Sequence, residues 1–162
     1  MGFIEVITKI FGNTSQKDMR AVMHYVEKIK AVYAEIDALN NDELRARSAA
    51  LMQCLQDAVA THKTKIQELK TSIENIDIDK REKVYNEIDR LEKEVLDIYD
   101  KTLNDILPEA FAVVKSTARR FAQNETITVL ATQMDRDLAA DSRFDFVEID
   151  GDKAIYHNAW TA

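Results

Sequence analysis

The chain has 162 residues, 46% of them hydrophobic and 31% charged, with a formal net charge of -7, three glycines and one proline. That length fits one domain, or a domain with an extended arm, and the scarcity of Gly and Pro points to long solvated helices rather than a compact sheet protein. The negative balance excludes broad nucleic-acid binding. One cysteine, Cys54, excludes an intrachain disulfide and fits a reducing compartment. No apolar run approaches the ~20 residues a membrane span requires.

The first predicted helix covers roughly Phe3 to Phe11. Phe3, Ile4, Ile7, Ile10 and Phe11 share one face, with Glu5, Thr8 and Lys9 on the other. Glu5 and Lys9 interrupt the apolar stretch, which argues against a signal peptide. A helix this short is marginal alone and needs a surface to lie on, either a bilayer interface, or its own domain or a second subunit. Residues 1–30 hold Lys9, Lys17, Arg20, Lys28 and Lys30 against Glu5, Asp18 and Glu27. The front is therefore basic on an otherwise acidic chain, which suits an anionic surface.

Gly12-Asn13 reads as a helix stop, and a second helix is predicted from near Ser15 to about Leu39. Its stripe includes Met19, Val22, Met23, Val26, Ile29, Tyr33 and Ile36. Asn40 then has the position of an N-cap, with Glu43 three residues on as its capping-box partner. From Leu44 a heptad-like seam runs through Leu51, Leu55, Ala58, His62, Ile66, Leu69 and Ile73. Asp77-Ile78-Asp79 interrupts it, and Asp79 with Glu82 is a second candidate cap. A second stripe follows: Val84, Ile88, Leu91, Val95, Ile98 and Leu103. Two such seams joined by a short acidic turn predict an antiparallel helical hairpin.

Pro108 is expected in the first turn of a further helix, with Ala110, Val113, Val114, Ala118 and Phe121 on its apolar face. Thr126 to Ala140 has strand composition at its start but keeps helical spacing at Ile127, Leu130, Met134 and Leu138; helix is the favoured reading. Asp145–Ile149 and Lys153–His157 flank Asp150-Gly151-Asp152 and predict a β-hairpin. The fold class is thus mainly α: a long coiled-coil-like antiparallel hairpin, an N-terminal amphipathic helix and a small C-terminal β-hairpin.

The residues with chemical potential read as structural. Cys54, beside Leu51, Leu55 and Ala58, is expected to be a small buried hydrophobe. His24, His62 and His157 are too scattered for a zinc site. Asp135, Asp137 and Asp141 lack the alternation and glycine of a calcium loop and are expected on a solvated, partly ion-paired face. Glu82, Glu87, Glu92 and Glu94 alternate with Lys83, Arg90 and Lys93 as the outer face of a long helix. No catalytic constellation and no metal site emerge.

Several segments resemble one family. ILPEAFAVVKSTARRF, residues 106–121, is similar to the LPEAFAVV-type segment of the SecA preprotein translocase ATPases. Residues 1–13, MGFIEVITKIFGN, resemble that family's amphipathic start, and residues 39–44, LNNDEL, its LSDEEL helix start. Residues 144–160 resemble the stretch before the motor domain in long-form members. The hairpin resembles an insertion of those long forms. No G-x-x-x-x-G-K-[ST] phosphate loop is present, and glycines only at Gly2, Gly12 and Gly151 could not build one.

The resemblance implies an N-terminal fragment that stops before the ATP-binding motifs. It would divide into docking helices (1–40), a hairpin arm (41–105) and the start of the motor region (106–162). ATP and magnesium would serve the full-length protein, while this chain alone would hold no cofactor and no activity. The resemblance also implies translocon and anionic-phospholipid contact through Phe3, Ile4, Ile7, Lys9, Ile10 and Phe11. Further partners would be the rest of the motor and the secretory preprotein, with room for a homodimer; the location would be cytoplasmic, peripheral on the inner face of the bacterial membrane. The rival reading is a free-standing helical adaptor anchored by its first helix.

Overall fold

The structure, a computed structural model, describes the backbone of residues 3–158 and the side chains of Met19 and of residues 22–158. Among the described residues, four α-helices and three strands follow in order: α1 (Phe3–Ala38), α2 (Asn41–Ser72), α3 (Ile78–Gln123), β1 (Thr126–Leu130), α4 (Gln133–Ala140), β2 (Val147–Asp150) and β3 (Lys153–His157). The chain divides into two compact units, one made of 1–44 with 111–162 and the other of 45–110.

α1 runs unbroken through Gly12-Asn13, so the expected stop is not one. An interior glycine costs a helix only about 1 kcal/mol, and a stop needs a left-handed cap as well. Asn40 does cap α2. Its backbone N–H donates to Glu43 Oε2 at 2.8 Å, and Glu43 N–H donates to Asn40 Oδ1 at 2.9 Å, a reciprocal capping box.

Unit 45–110 is the predicted antiparallel hairpin. Its cross-helix pairs run in opposite directions along the two helices: Arg47 with Glu109, His62 with Glu94, and Lys70 with Glu92. Val59, Ile66, Ile88, Leu91 and Val95 form its buried core, flanked by Leu69, Ile73, Val84, Ile98 and Tyr99. The turn contains a short 3₁₀ segment, Ile73–Asn75. α3 begins at Ile78, ahead of the expected Asp79 cap. Arg81 closes the bend by donating to the Ile76 carbonyl at 3.0 Å.

Pro108 lies inside α3 instead of opening a new helix. Proline cannot donate to the carbonyl four residues back, so α3 passes this point with one ladder bond fewer. The packing on either side of Pro108 carries the helix through: Val95 is buried before it, and Ala112, Val113 and Ser116 after it.

Residues 126–130 are a strand, which corrects the helical reading. Ile127 and Val129 alternate inward, period two winning over period 3.6. The sheet has the order β1-β3-β2, antiparallel throughout, with Ile127 opposite Tyr156 and Val147 opposite Tyr156 on the other side. The predicted β-hairpin is β2–β3, joined by Gly151 and Asp152; Gly151 adopts φ +62°, the left-handed value that suits glycine at the first position of a two-residue turn. Ile127, Val129, Val147 and Ala154 form the sheet's buried layer, against Phe121, Leu138 and Tyr156.

Candidate functional site

The densest polar arrangement in unit 1–44/111–162 gathers the end of α1, the start of α2, the last turns of α3 and the edge of β1. Arg120 is its hub. Its guanidinium donates to the carbonyls of Asp37 and Leu39, which end α1, and to Asn41 Oδ1 at 2.7 Å. A helix C-terminus leaves carbonyls without intrahelical partners, and a cation is the favourable group to meet them.

Asp37 sits beside the hub. It accepts from Ser116 Oγ at 2.8 Å and pairs with Arg119 Nη2 at 2.7 Å. Ser116 is fully buried. Partial burial pushes the Asp37 carboxyl up, but the Ser116 hydroxyl, the Arg119 charge and the Tyr33 hydroxyl outweigh it and hold it below its usual range. Burial and the neighbouring Asp37 raise Tyr33 in turn. Lys115 covers the other side of Tyr33, 4.3 Å from the ring centre.

The first residues of α2 also reach the sheet. Ala131 N–H donates to Asp152 and Asn158 N–H to Glu125, so alternate residues of β1 pair with β3. Thr126, Thr128 and Leu130 therefore turn their backbone groups to the outer edge. Asn41 Nδ2 donates to the Thr128 carbonyl at 3.2 Å, and Leu130 N–H donates to Asp42 Oδ1 at 2.8 Å. Two side chains thus cover a strand edge.

Asp135 departs from expectation. It is fully buried, not solvated, and acts as the N3 residue of the α4 capping box. It accepts from Thr132 N–H at 2.6 Å, from Thr132 Oγ1 at 2.8 Å and from the Tyr156 hydroxyl. The sequence signal was present in Thr132-x-x-Asp135, a capping-box spacing. Asp137 accepts from Gln133 at 2.8 Å, and Asp141 pairs with Arg143, which holds its carboxyl below the usual range.

Cys54 is exposed, contrary to the expected burial. It lies about half a turn from the Val59–Ile66 side of α2, so its neighbours in sequence are not its neighbours in the core. His62 is half-buried at the seam, its Nε2 3.4 Å from Glu94 Oε2. Arg90 lies between Glu87 and Glu94, both of which raise its pKa. The six residues proposed for surface contact, Phe3, Ile4, Ile7, Lys9, Ile10 and Phe11, fall on α1, but their side chains lie outside the described residues.

Caps, ion pairs and packed layers are what these residues bring together, the features of a helical structural module with a long arm. Comparison with known proteins gives the family. Residues 7–134 match the SecA DEAD-like domain. Relatives described as protein translocase subunit SecA are 52% identical in Porphyromonas gingivalis, 51% in Parabacteroides distasonis and 47% in Bacteroides fragilis, each over the whole of this chain. The chain belongs to the SecA family. It spans only 14% of the length of each of these relatives. No solved structure matches it.

Proposed function

We propose that the chain is the N-terminal segment of a SecA-type translocase subunit, supplying membrane and translocon contact and a packing surface for the motor. The whole protein would drive secretory preproteins through the channel by ATP hydrolysis, with nucleotide and magnesium held outside these residues. The match of residues 7–134 to the SecA DEAD-like domain carries this reading. In it, residues 1–40 dock, 41–105 form the arm and 106–162 lead into the motor. No helix among the described residues is long and apolar enough to cross a membrane. The contact proposed for the start of α1 is that of an amphipathic helix lying in the interface.

The reading is tested with vesicles. The chain is expected to float with vesicles containing anionic lipid and to be released as salt rises, because the attraction of Lys9 and its basic neighbours is screened. Ile7→Glu places a charge in the apolar face and should abolish flotation while circular dichroism stays helical. Equal binding to neutral vesicles, or unchanged binding by Ile7→Glu, overturns it.

A further inference from the structure

The sheet treats its two edges differently. The β1 edge is covered by the chain itself, through Asn41 and Asp42. The other edge is β2. His157 N–H donates to the Phe146 carbonyl at 2.8 Å, and Val147 lies opposite Tyr156. Bonded and non-bonded residues alternate along an antiparallel pair, so Glu148 and Asp150 turn their backbone groups to β3. Val147 and Ile149 turn theirs outward, and among the described residues no hydrogen bond is made to those groups.

The side chains of β2 alternate as well. Val147 is buried in the sheet's core layer, with Ile149, Leu138 and Ala139 packed against that layer. Glu148 and Asp150 are exposed on the opposite face. His157 Nε2 lies 3.3 Å from Glu148 Oε1, but the Glu148 side chain is 60% exposed. A carboxylate accepts from more than one side, so this pair leaves room for a second cation. A strand laid beside β2 would meet two apolar residues on one face and two acidic residues on the other.

We propose that the β2 edge is a strand-docking site whose occupant is an extended segment of another polypeptide, in which lysine or arginine alternates with apolar residues. The main chain of that segment bonds to the outward groups of Val147 and Ile149. Its apolar residues extend the core layer, and its cations lie opposite Glu148 and Asp150. The same two acids make the edge selective. They repel any acidic strand, a second β2 included, because like charges directly opposite each other destabilise a ladder. The inference is independent of lipid contact by α1 and of the role proposed for the whole protein.

Titration of the 162-residue chain with a short synthetic peptide alternating lysine and valine tests it. Binding is expected with a dissociation constant below about 1 mM. The amide protons of Val147 and Ile149 should then exchange several-fold more slowly with solvent. A peptide alternating glutamate and valine should bind roughly tenfold more weakly or worse. Glu148→Lys/Asp150→Lys should reverse that preference, and because both side chains are exposed the fold should be kept. A second measurement needs no variant. N-methylation of alternate peptide residues removes donors from one side of the strand only, so methylating one set should abolish binding and methylating the other should leave it intact. The proposal is overturned if the lysine peptide does not bind at about 1 mM, or if both peptides bind equally well. Unaltered exchange at Val147 and Ile149 also overturns it, as does equal sensitivity to the two methylation sets, or a folded charge-reversed variant that keeps the parent's preference.

Discussion

Asp37 and Arg120 show how single residues fix the junction of α1, α2 and α3. Arg120 meets the carbonyls that end α1, while Asp37 holds Ser116 and Arg119 of α3. The Asp37 carboxyl is held below its usual range in the folded chain. A group with a depressed folded pKa stabilises the fold above its unfolded value, near 3.9, and that contribution is lost as pH falls through the folded value. The chain should therefore lose stability as pH drops below about 4. Asp37→Asn should lower stability at neutral pH and flatten this acid limb. Thermal melts of both proteins between about pH 2 and 7 check it. A variant whose melting temperature falls with acid as steeply as the parent's would show that Asp37 is not the group responsible.

At the scale of elements, Pro108 is the most consequential departure from regularity. An interior proline is about 3 kcal/mol less favourable than alanine in a helix. Pro108→Ala restores the missing donor in α3 and should stabilise the chain by roughly 1–3 kcal/mol, seen as a higher melting temperature. A lower melting temperature would mean that the pyrrolidine ring packs better than the restored bond compensates. The same elements show what was legible in the sequence. The Asn40–Glu43 box and the Gly151 turn are local devices whose spacing is their mechanism, and both form as read. Gly12-Asn13 and Pro108 are local signals too weak to break a helix; around Pro108 the packing of the long helix outweighs them. β1 was misread because a strand of five residues owes its state to partners on β3, some thirty residues away in sequence. Asp135 was misplaced because its burial depends on Tyr156, a partner that α4 meets only through the sheet. The surface-contact residues of α1 were readable only as an amphipathic pattern, and that pattern does not identify what the face meets.

Across the whole molecule, the unit 45–110 has a core of its own, from Val59 to Val95 with Tyr99 at its edge. Replacing residues 59–99 by a short flexible linker removes that core entire and leaves no half of it exposed. Loop closure depends weakly on length, so the sheet should survive the replacement. Hydrogen exchange is expected to show unchanged protection in Ile127–Leu130 and Lys153–His157. Lost protection in β1 or β3 would make the arm part of the same cooperative fold.

The hold of Asn41 and Asp42 on β1 has a consequence for the order of folding. These contacts join residues 87 and 88 positions apart, whereas Lys70 and Glu92 near the hairpin bend are 22 apart. Closing the longer loop directly from an unstructured chain carries the larger entropy cost. Zipping α2 against α3 from the bend outward brings residue 41 toward residue 120 one turn at a time. On this argument the arm is expected to form first and the strand edge to be covered last. Slowing the zipper with Val59→Ala should delay the appearance of native sheet signal in a stopped-flow refolding trace, although Val59 belongs to the core of the arm and not to the buried layer of the sheet.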